Sequence, residues 1–416
     1  MTTLSVIIPA FNEEGGIADI SQRVLNVRPA LAQVGVQEME LLVIDDGSAD
    51  RTAEIASQIA GVTLIRHPQN MGYGAALKTG FSHAQGELIG FLDADGTYPP
   101  EYFPQLCQQA LNGSELVIGS RMAGADSQMP RTRRLGNLFF ATLLSLLARR
   151  RVTDSASGMR VFRRTILERI YPLPNGLNLT PVMSTRALHE GIQLSEVPIP
   201  YSERVGRSKL SVVKDGSLFL RSMVWTALTY NPVQILGLLG LVGVGLALLV
   251  GLGLVALRLQ GQTTLLPWQL GLFFAGAVAG FVGVSFFSLG ITFNYLVSLF
   301  YNQPIRQGLF GRPLLKTPLD HHFWWLGGLG ILAGLAAGLA SFFLSTNGWD
   351  MTRLWFYLLV SAMLILLGVQ LLIYWVLLRV LEELSQRDVR IAQEFESPLQ
   401  LKKAPGRAPH ALVQPE

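Results

Sequence analysis

The chain has 416 residues, of which 50% are hydrophobic and only 15% are charged. Soluble domains carry about 25% charged residues, so this composition excludes both an ordinary soluble globule and a disordered chain. The single cysteine, Cys107, excludes a disulfide framework and any zinc site built on several cysteines, and a net charge of +4 is too small to argue for nucleic-acid binding.

Apolar runs in the first half of the chain alternate with segments whose apolar residues have helical spacing. The predicted strand and helix pairs are residues 4–9 with 13–27, 40–44 with 51–60, 62–66 with 74–84, and 88–92 with 101–110, and residues 116–119 add a fifth strand. This alternation predicts an α/β domain with a mostly parallel sheet covered on both faces. Ligands of such sheets bind beyond the carboxyl ends of the strands.

Polar residues follow three of these strands at that edge. They are residues 9–14 after the first strand, 45–48 after the second and 93–96 after the fourth. The dinucleotide motif G-x-G-x-x-G does not follow the first strand, and no P-loop motif is present. A dinucleotide fold and a P-loop enzyme are therefore both disfavoured.

Asp93 and Asp95 form a D-x-D pair directly after a buried strand. Residues two apart on an extended segment point to the same side, so both carboxylates can reach one pocket. Carboxylate oxygens suit Mg²⁺ or Mn²⁺, which bind one or two carboxylates together with substrate phosphates. The pair predicts a metal and diphosphate site, and a solvated turn or helix cap is the alternative.

Asp45 and Asp46 are candidates for hydrogen bonds to a base or ribose, and one of them could instead only cap the helix that begins near Arg51. Lys78, a candidate nucleotide-binding residue, follows a glycine-rich turn that leads into a helix. Such a turn can bring backbone N–H groups close to an anion, although an ordinary loop is nearly as consistent with this segment.

Two segments are predicted to lie at a membrane interface, near residues 133–150 and 209–230. The first is a short apolar helix with arginines at both ends, and the second places Lys214 and Arg221 before Trp225 and Tyr230. The first is too short to span a bilayer comfortably, and a buried core helix is its alternative.

Four runs without Asp, Glu, Lys or Arg each exceed the roughly 20 residues that cross a bilayer core. They predict transmembrane helices near residues 233–257, 269–297, 323–345 and 354–378. The basic residues concentrate between the second and third spans and after the fourth, so the positive-inside rule places the N-terminal domain and the tail in the cytoplasm. The predicted organisation is a domain at 1–221, a four-helix membrane domain at 222–380 and a basic, partly disordered tail at 381–416, in an inner- or plasma-membrane protein.

These segments resemble glycosyltransferase family 2, and within it the polyprenyl-phosphate hexose synthases of the dolichyl-phosphate mannose synthase group. The motifs that carry the resemblance are VIIPAFNEE at 6–14, VIDDGSADRT at 43–52, DADG at 93–96, GSR at 119–121, DSASGMR at 154–160 and VGRSK at 205–209. The resemblance implies a GT-A-type nucleotide-sugar-binding domain followed by an all-α membrane domain.

The resemblance also implies roles for individual residues. Pro9, Phe11 and Glu13 would line the nucleoside pocket with Asp45 at the base, Asp93 would lie near the ribose or metal, and Asp95 would hold the metal. Thr97 occupies the position where many relatives have glutamine as a further ligand, and it is a weaker neutral ligand. The candidates for the acceptor phosphate and the leaving diphosphate are Arg121, Arg133, Arg134, Arg204, Arg207 and Lys209.

A lipid monophosphate acceptor is already an oxyanion at neutral pH, so positioning and charge neutralisation can replace a strong base. Asp154 is predicted to be either a base or an orienting group at the acceptor site, and a turn aspartate is its alternative. The predicted reaction is inverting transfer of a hexose from a UDP-glucose or GDP-mannose type donor to a polyprenyl phosphate, with undecaprenyl phosphate as the expected lipid. A processive polysaccharide synthase and a non-catalytic nucleotide-binding membrane scaffold are the alternatives, and a homo-oligomer is compatible with each.

Overall fold

A computed structural model of the chain describes residues 2–122, 129–148, 150–202, 212–261, 266–301, 319–348 and 351–396. The chain divides into two compact units, Met1–Tyr230 and Asn231–Glu416. This division falls after Tyr230, whereas the sequence placed the domain boundary at residue 221, because the helix that includes residue 221 continues to Tyr230.

The first unit is built on a seven-stranded sheet with the order β3-β2-β1-β4-β6-β5-β7. Its strands are β1 Thr2–Ala10, β2 Val36–Asp45, β3 Val62–Arg66, β4 Leu88–Phe91, β5 Leu116–Ser120, β6 Arg160–Arg163 and β7 Leu194–Pro198. Only β6 runs antiparallel to its two neighbours, β4 and β5. The predicted mostly parallel sheet is therefore confirmed.

Nine helices surround this sheet among the described residues of the first unit. They are α1 Ile17–Asn26, α2 Arg28–Gln33, α3 Thr52–Ser57, α4 Tyr73–His83, α5 Phe103–Leu111, α6 Arg131–Ala148, α7 Leu167–Ile170, α8 Leu179–His189 and α9 Val212–Tyr230. Single 3₁₀ turns at Pro100–Tyr102 and Arg164–Ile166 precede α5 and α7.

Helices cover both faces of the sheet because β1 is apolar on both sides. Leu4, Val6 and Ile8 belong to one buried cluster, which includes residues of α1 and α5. Ile7 points to the other face and packs in a second cluster with Phe81 of α4. A continuous apolar strand of this kind is typical of a sheet that is covered on both faces.

Helices α6 and α9 pack together, through Phe140 and Phe219 with ring centroids 5.9 Å apart. The rest of α6 is unusual for a soluble domain, because Leu135, Phe139 and Leu146 are each more than half exposed. Apolar side chains left uncovered in this way favour contact with another apolar phase.

The second unit contains four helices that are long and apolar enough to cross a membrane, which identifies an integral membrane protein. They are α10 Pro232–Leu259, α11 Pro267–Tyr301, α12 Phe323–Thr346 and α13 Met351–Glu396, with a 3₁₀ turn at Leu319–His322 before α12. Each of the four predicted spans lies within one of these helices. Helix α13 continues beyond the predicted end of the fourth span to Glu396, and the tail after it lies outside the described residues.

Glycines set the packing within two pairs of these helices. A Cβ built on Gly283 of α11 would lie 2.7 Å from the carbonyl oxygen of Gly240 in α10, and one on Gly327 of α12 would lie 2.7 Å from that of Gly368 in α13. A residue larger than glycine does not fit at such short distances between helix backbones. Close backbone packing of this kind is how helices associate in lipid.

Candidate active site

The strand register brings the predicted polar segments to one edge of the sheet. Ala10 of β1 pairs with Asp45 of β2, and Ile7 of β1 pairs with Phe91 of β4. The residues that follow these strands therefore meet at their carboxyl ends, where a ligand is expected in an α/β sheet.

A cavity of about 530 Å³ opens at this edge within the first unit. The predicted site residues that line it are Pro9, Phe11, Glu13, Asp46, Asp93, Asp95, Thr97, Arg121 and Arg133. Carboxylates thus gather at the strand ends, while Arg133, Asn137 and Phe140 reach the cavity from α6 and Phe219 reaches it from α9. The lining therefore combines carboxylates, arginines and apolar side chains.

Hydrogen bonds join the loops that follow β1 and β2. The backbone N–H of Asn12, which has a φ of 52°, donates to Ser48 Oγ at 2.9 Å, and the side chain of Asn12 accepts from the N–H of Ala49 at 2.9 Å. The N–H of Glu13 donates to Thr52 Oγ1 at 2.8 Å. Asparagine is one of the few residues that tolerate positive φ, so it suits this turn.

Asp93 is held from two sides. The hydroxyl of Tyr73 donates to its Oδ1 at 2.8 Å, and the backbone of Gly158 lies directly against its carboxyl group. Burial, followed by the charge of Asp93, raises the pKa of Tyr73 well above its usual value, so the phenol keeps its proton for this bond.

Replacing Gly158 with alanine is expected to displace Asp93. The added Cβ would lie 2.5–2.8 Å from the carboxyl atoms, closer than any ordinary contact. Because misplacement by about 1 Å can cost about a hundredfold in rate, we expect Gly158→Ala to reduce turnover by about that factor. Gly15→Ala is the matched control, since a Cβ there meets nothing within 4 Å. The experiment compares the initial rates and melting temperatures of the two variants. Equal rates would contradict the expected displacement of Asp93.

Asp95 has one carboxylate oxygen engaged by its own turn. Its Oδ1 accepts from the hydroxyl of Thr97 at 2.6 Å and from the N–H of Thr97 at 3.1 Å. Thr97 therefore orients Asp95. This role differs from that of a further metal ligand, which the sequence suggested for position 97.

The donor set at the strand ends fits a hard divalent cation. Asp93 and Asp95 both line the cavity, and among the described residues no group of three or more His, Cys, Asp or Glu side chains could enclose an ion. Two carboxylates completed by water and substrate phosphates are a typical Mg²⁺ arrangement.

Asp154 lies behind the cavity wall rather than in it. It is fully buried and binds the guanidinium of Arg121 through two bonds, Nε to Oδ2 at 2.7 Å and Nη2 to Oδ1 at 2.8 Å. Burial opposes its ionisation, but the charge and hydrogen bonds of Arg121 outweigh burial and hold the pKa of Asp154 below its usual range. Of the predicted roles for Asp154, this geometry favours the orienting one.

Arg121 is also enclosed by aromatic rings. Its guanidinium carbon lies 5.8 Å from the ring centroid of Tyr98 and 5.6 Å from that of Tyr201, distances at which cation–π attraction operates. The hydroxyl of Tyr98 accepts from the N–H of Gly158 at 2.7 Å, which connects this group to the backbone beside Asp93.

A second buried arginine shapes the same turn. Arg160 is fully buried and donates to the carbonyl oxygens of Ser157 at 3.0 Å and Ser155 at 2.8 Å. Burial lowers its pKa to about 10, so it remains a cation at neutral pH. Its two bonds fix the turn that carries Gly158.

Several predicted site residues do not reach the cavity. Asp45 is fully buried, with its Oδ2 3.0 Å from Arg66 Nε and its Oδ1 accepting from the N–H of Ser48. Lys78, predicted to bind the nucleotide, donates to the carbonyl oxygen of Leu173 at 3.0 Å and does not line the cavity. Arg134 lies on α6 but is likewise outside the lining. Arg204, Arg207 and Lys209 lie outside the described residues.

Among the lining residues not predicted from the sequence are four with polar side chains close to the site, Tyr73, Tyr98, Asn137 and Tyr201. Tyr73 lies in the glycine-rich turn already singled out, and Tyr98 follows the D-x-D pair. Asn137 is the one polar residue in the apolar run 135–141 of α6, a signal that could have identified it. Nothing in the local sequence marks Tyr201.

The fold and this edge of the sheet define a glycosyltransferase. Residues 5–171 match the family described as "Glycosyl transferase family 2", and residues 232–392 match one described as "Domain of unknown function (DUF8752)". The "Dolichyl-phosphate hexose transferase" of Haloferax volcanii is 34% identical over 53% of this chain and 92% of its own length. The chain belongs to glycosyl transferase family 2, and its mostly parallel sheet confirms the expected GT-A-type fold.

Two further proteins show similarity. The "Undecaprenyl-phosphate 4-deoxy-4-formamido-L-arabinose transferase" of Klebsiella pneumoniae is 28% identical over 76% of this chain and 94% of its own length. Among solved structures, glucosyl-3-phosphoglycerate synthase from Mycobacterium tuberculosis, in complex with Mn²⁺, uridine diphosphate and phosphoglyceric acid, is 22% identical over 55% of this chain and 78% of its own, with a TM-score of 0.44.

Proposed function

We propose that this protein transfers a hexose, with inversion, from a nucleotide sugar of the UDP-glucose or GDP-mannose type to a membrane polyprenyl phosphate. The observation that carries this proposal is one cavity with two kinds of wall. Asp93 and Asp95 line it after β4 and Arg121 lines it after β5, whereas Arg133 and the apolar side chains of α6 and α9 line it from the helices.

The strand-end side suits the donor. Asp95, supported by Asp93, would hold Mg²⁺ or Mn²⁺, which when bound neutralises charge on the donor diphosphate. Pro9, Phe11 and Glu13 line the adjoining wall and would enclose the nucleoside. The bond of Tyr73 to Asp93 fixes one donor-side carboxylate before substrate arrives, and preorganisation of this kind lowers the cost of reaching the transition state.

The arginine and amide side chains of the lining suit a phosphate. Arg121 is held rigidly by Asp154 and two tyrosine rings, so its charge is presented without loss of side-chain entropy. Asn137 is only 7% exposed, and neither its Nδ2 nor its Oδ1 has a hydrogen-bond partner among the described residues. A buried amide without partners costs free energy that a bound phosphate would recover.

A phosphate nucleophile is consistent with the lowered pKa of Asp154. A lipid monophosphate is anionic at neutral pH and needs no proton removed before attack, whereas a sugar hydroxyl does. The low pKa of Asp154 makes it a weak base. The chain's own residues would therefore act by holding the phosphate oxygen opposite the leaving nucleotide, which inverts the anomeric centre.

The apolar surfaces of α6 and α9 support a lipid acceptor. On α6 Leu135, Leu138, Phe139 and Leu146 are exposed, and on α9 Trp225 is 61% exposed. A helix with an apolar face and basic residues at its ends suits a membrane interface. The named functions of the two similar transferases point to the same class of acceptor, and the positive-inside rule places this unit in the cytoplasm.

The direct test is product formation by detergent-purified full-length protein with Mg²⁺ or Mn²⁺, a panel of UDP- and GDP-sugars, and undecaprenyl or dolichyl phosphate. The proposal requires a metal-dependent glycosyl lipid phosphate from one donor. A growing polymer would instead indicate a processive synthase, and nucleotide binding without turnover would indicate a scaffold.

Asn137→Ala separates the acceptor side from the donor side. We expect the KM for the lipid phosphate to rise about tenfold, as for the loss of one hydrogen bond to a charged group, while the KM for the donor stays constant. The free energy of unfolding should fall only by the packing energy of the deleted side-chain atoms, because the amide has no hydrogen-bond partner to lose among the described residues. Asn26→Ala on α1 is the control. An unchanged KM for the lipid would remove Asn137 from the acceptor site.

A further inference from the structure

We propose that residues 70–73 form a strap that fixes the position of the Asp93 side chain for donor binding. We further propose that His67 holds this strap in place through its hydrogen bond to Asp46. His67 and Tyr73 are then positioning residues of the reaction. This inference rests on the proposed function, because it concerns the donor side of the same cavity.

The first end of the strap is held by Asp46, which follows β2. Asp46 Oδ1 accepts from the N–H of Met71 at 2.8 Å, and its Oδ2 accepts from the N–H of Gly72 at 2.9 Å. The carboxylate is only 3% exposed, and both of its oxygens are engaged with the strap. Asp46 was predicted as a nucleotide contact, and in the structure these bonds make it the anchor of a loop.

His67 orients that carboxylate. Its Nδ1 lies 2.7 Å from Asp46 Oδ1, and its Nε2 lies 2.9 Å from the hydroxyl of Thr79 on α4. Because a carboxylate only accepts, Nδ1 carries the proton and donates. The threonine hydroxyl satisfies the other nitrogen, so the ring, which is 7% exposed, is fixed at both ends.

The second end of the strap is Tyr73, the first residue of α4. Its hydroxyl donates to Asp93 Oδ1 at 2.8 Å, so the strap connects the acidic residue after β2 with the one after β4. Asn70, Gly72 and Tyr73 all line the cavity. A shift at Asp46 would therefore be passed to Asp93 through four consecutive residues.

The back of the strap is closed against another segment. Gly72 has a φ of +104°, and a Cβ there would lie 2.6 Å from the carbonyl oxygen of Asn175. The same oxygen accepts from the N–H of Ala75 at 3.1 Å. This close packing limits how far the strap can move, and the bonds of His67 and Tyr73 then fix its position.

The test uses full-length protein and measures the Kd of UDP and GDP with Mg²⁺ by calorimetry, together with the KM for donor and for lipid. Tyr73→Phe removes one hydroxyl and keeps the ring. We expect it to weaken nucleotide binding or raise the KM for donor about tenfold, with the KM for lipid within about twofold, because a hydrogen bond to a charged group is lost only on the donor side.

His67→Leu should likewise raise the KM for donor and leave the KM for lipid nearly unchanged. His67→Asn should recover most of the lost donor affinity, because its amide still donates to Asp46. His83→Ala is the control, since His83 is an exposed residue at the end of α4. If His67→Leu fails to fold, Tyr73→Phe alone decides the inference. Normal donor and nucleotide affinities in Tyr73→Phe would overturn it while leaving the proposed function intact. Wild-type protein that binds neither nucleotide and transfers no sugar would overturn both.

Discussion

Asp95→Asn is expected to abolish turnover while leaving the protein folded and inserted in the membrane. The substitution keeps the size of the side chain and the acceptor for Thr97, but it removes the negative charge that would hold the cation. A bound metal contributes several kcal/mol of charge stabilisation, and each 1.36 kcal/mol is tenfold in rate, so we expect a loss of about a thousandfold or more. Initial rates across a titration of Mg²⁺ and Mn²⁺ measure it.

The matched control for this variant is Asp19→Asn. Asp19 lies on α1 with a side chain 72% exposed, and it forms an ion pair with Arg23 at 3.7 Å. Its loss should leave rate and metal dependence unchanged. Full activity in Asp95→Asn would disprove the metal assignment.

Asp154→Asn is expected to lower both stability and activity. It leaves the guanidinium of Arg121 buried without its carboxylate, and removing one partner of a buried pair costs about 3–5 kcal/mol. Arg121 would also lose the orientation in which it faces the cavity. Melting temperature in detergent reports the first effect, and the KM for lipid phosphate reports the second.

The control for that variant is Glu101→Gln, which removes an exposed ion pair with Arg23. Exposed pairs contribute about 0–1 kcal/mol, so the melting temperature should hardly change. Equal losses of stability in the two variants would contradict the assigned role of the buried pair.

The pH dependence follows from the lowered pKa of Asp154. A depressed pKa in the folded state gives stability that is fully present above the ordinary value of 3.8 and is lost as the pH falls below it. Between pH 5 and 8 Asp154 stays ionised, so it should contribute no inflection to the rate profile there. An acid limb above pH 5 that disappears in Asp154→Asn would instead restore the general-base role.

The first five strands and the four spans could be predicted because their signals are local, whereas β6 and β7 were not predicted. An apolar strand covered on both faces, such as β1, and a helix free of charge, such as α10, are visible in short windows of sequence. Strand β6 was missed because it has only four residues, begins and ends with arginine, and gains its place only by insertion between β4 and β5.

The candidate site also has a part that local sequence signals predict and a part that depends on distant segments. The carboxyl ends of parallel strands must meet at one edge, so the sequence alone placed Asp93, Asp95 and Glu13 together. Which acidic residue faces the cavity depends on contacts from distant segments. Asp154 turns away because Arg121, 33 residues earlier, binds it, and Lys78 turns away because the carbonyl of Leu173, 95 residues later, accepts a hydrogen bond from its ammonium group.

The sequence by itself determined the division into an α/β transferase domain and four membrane helices, and the edge of the sheet at which the chemistry lies. Only the tertiary structure decided that Asp46 anchors a loop, that Asp154 holds Arg121 and that the amide of Asn137 is buried without a hydrogen-bond partner among the described residues. Periodicity and motif spacing are set by the backbone, which is local. The partner of a buried polar group is set by the segments that packing brings against it, and those lie far away in the chain.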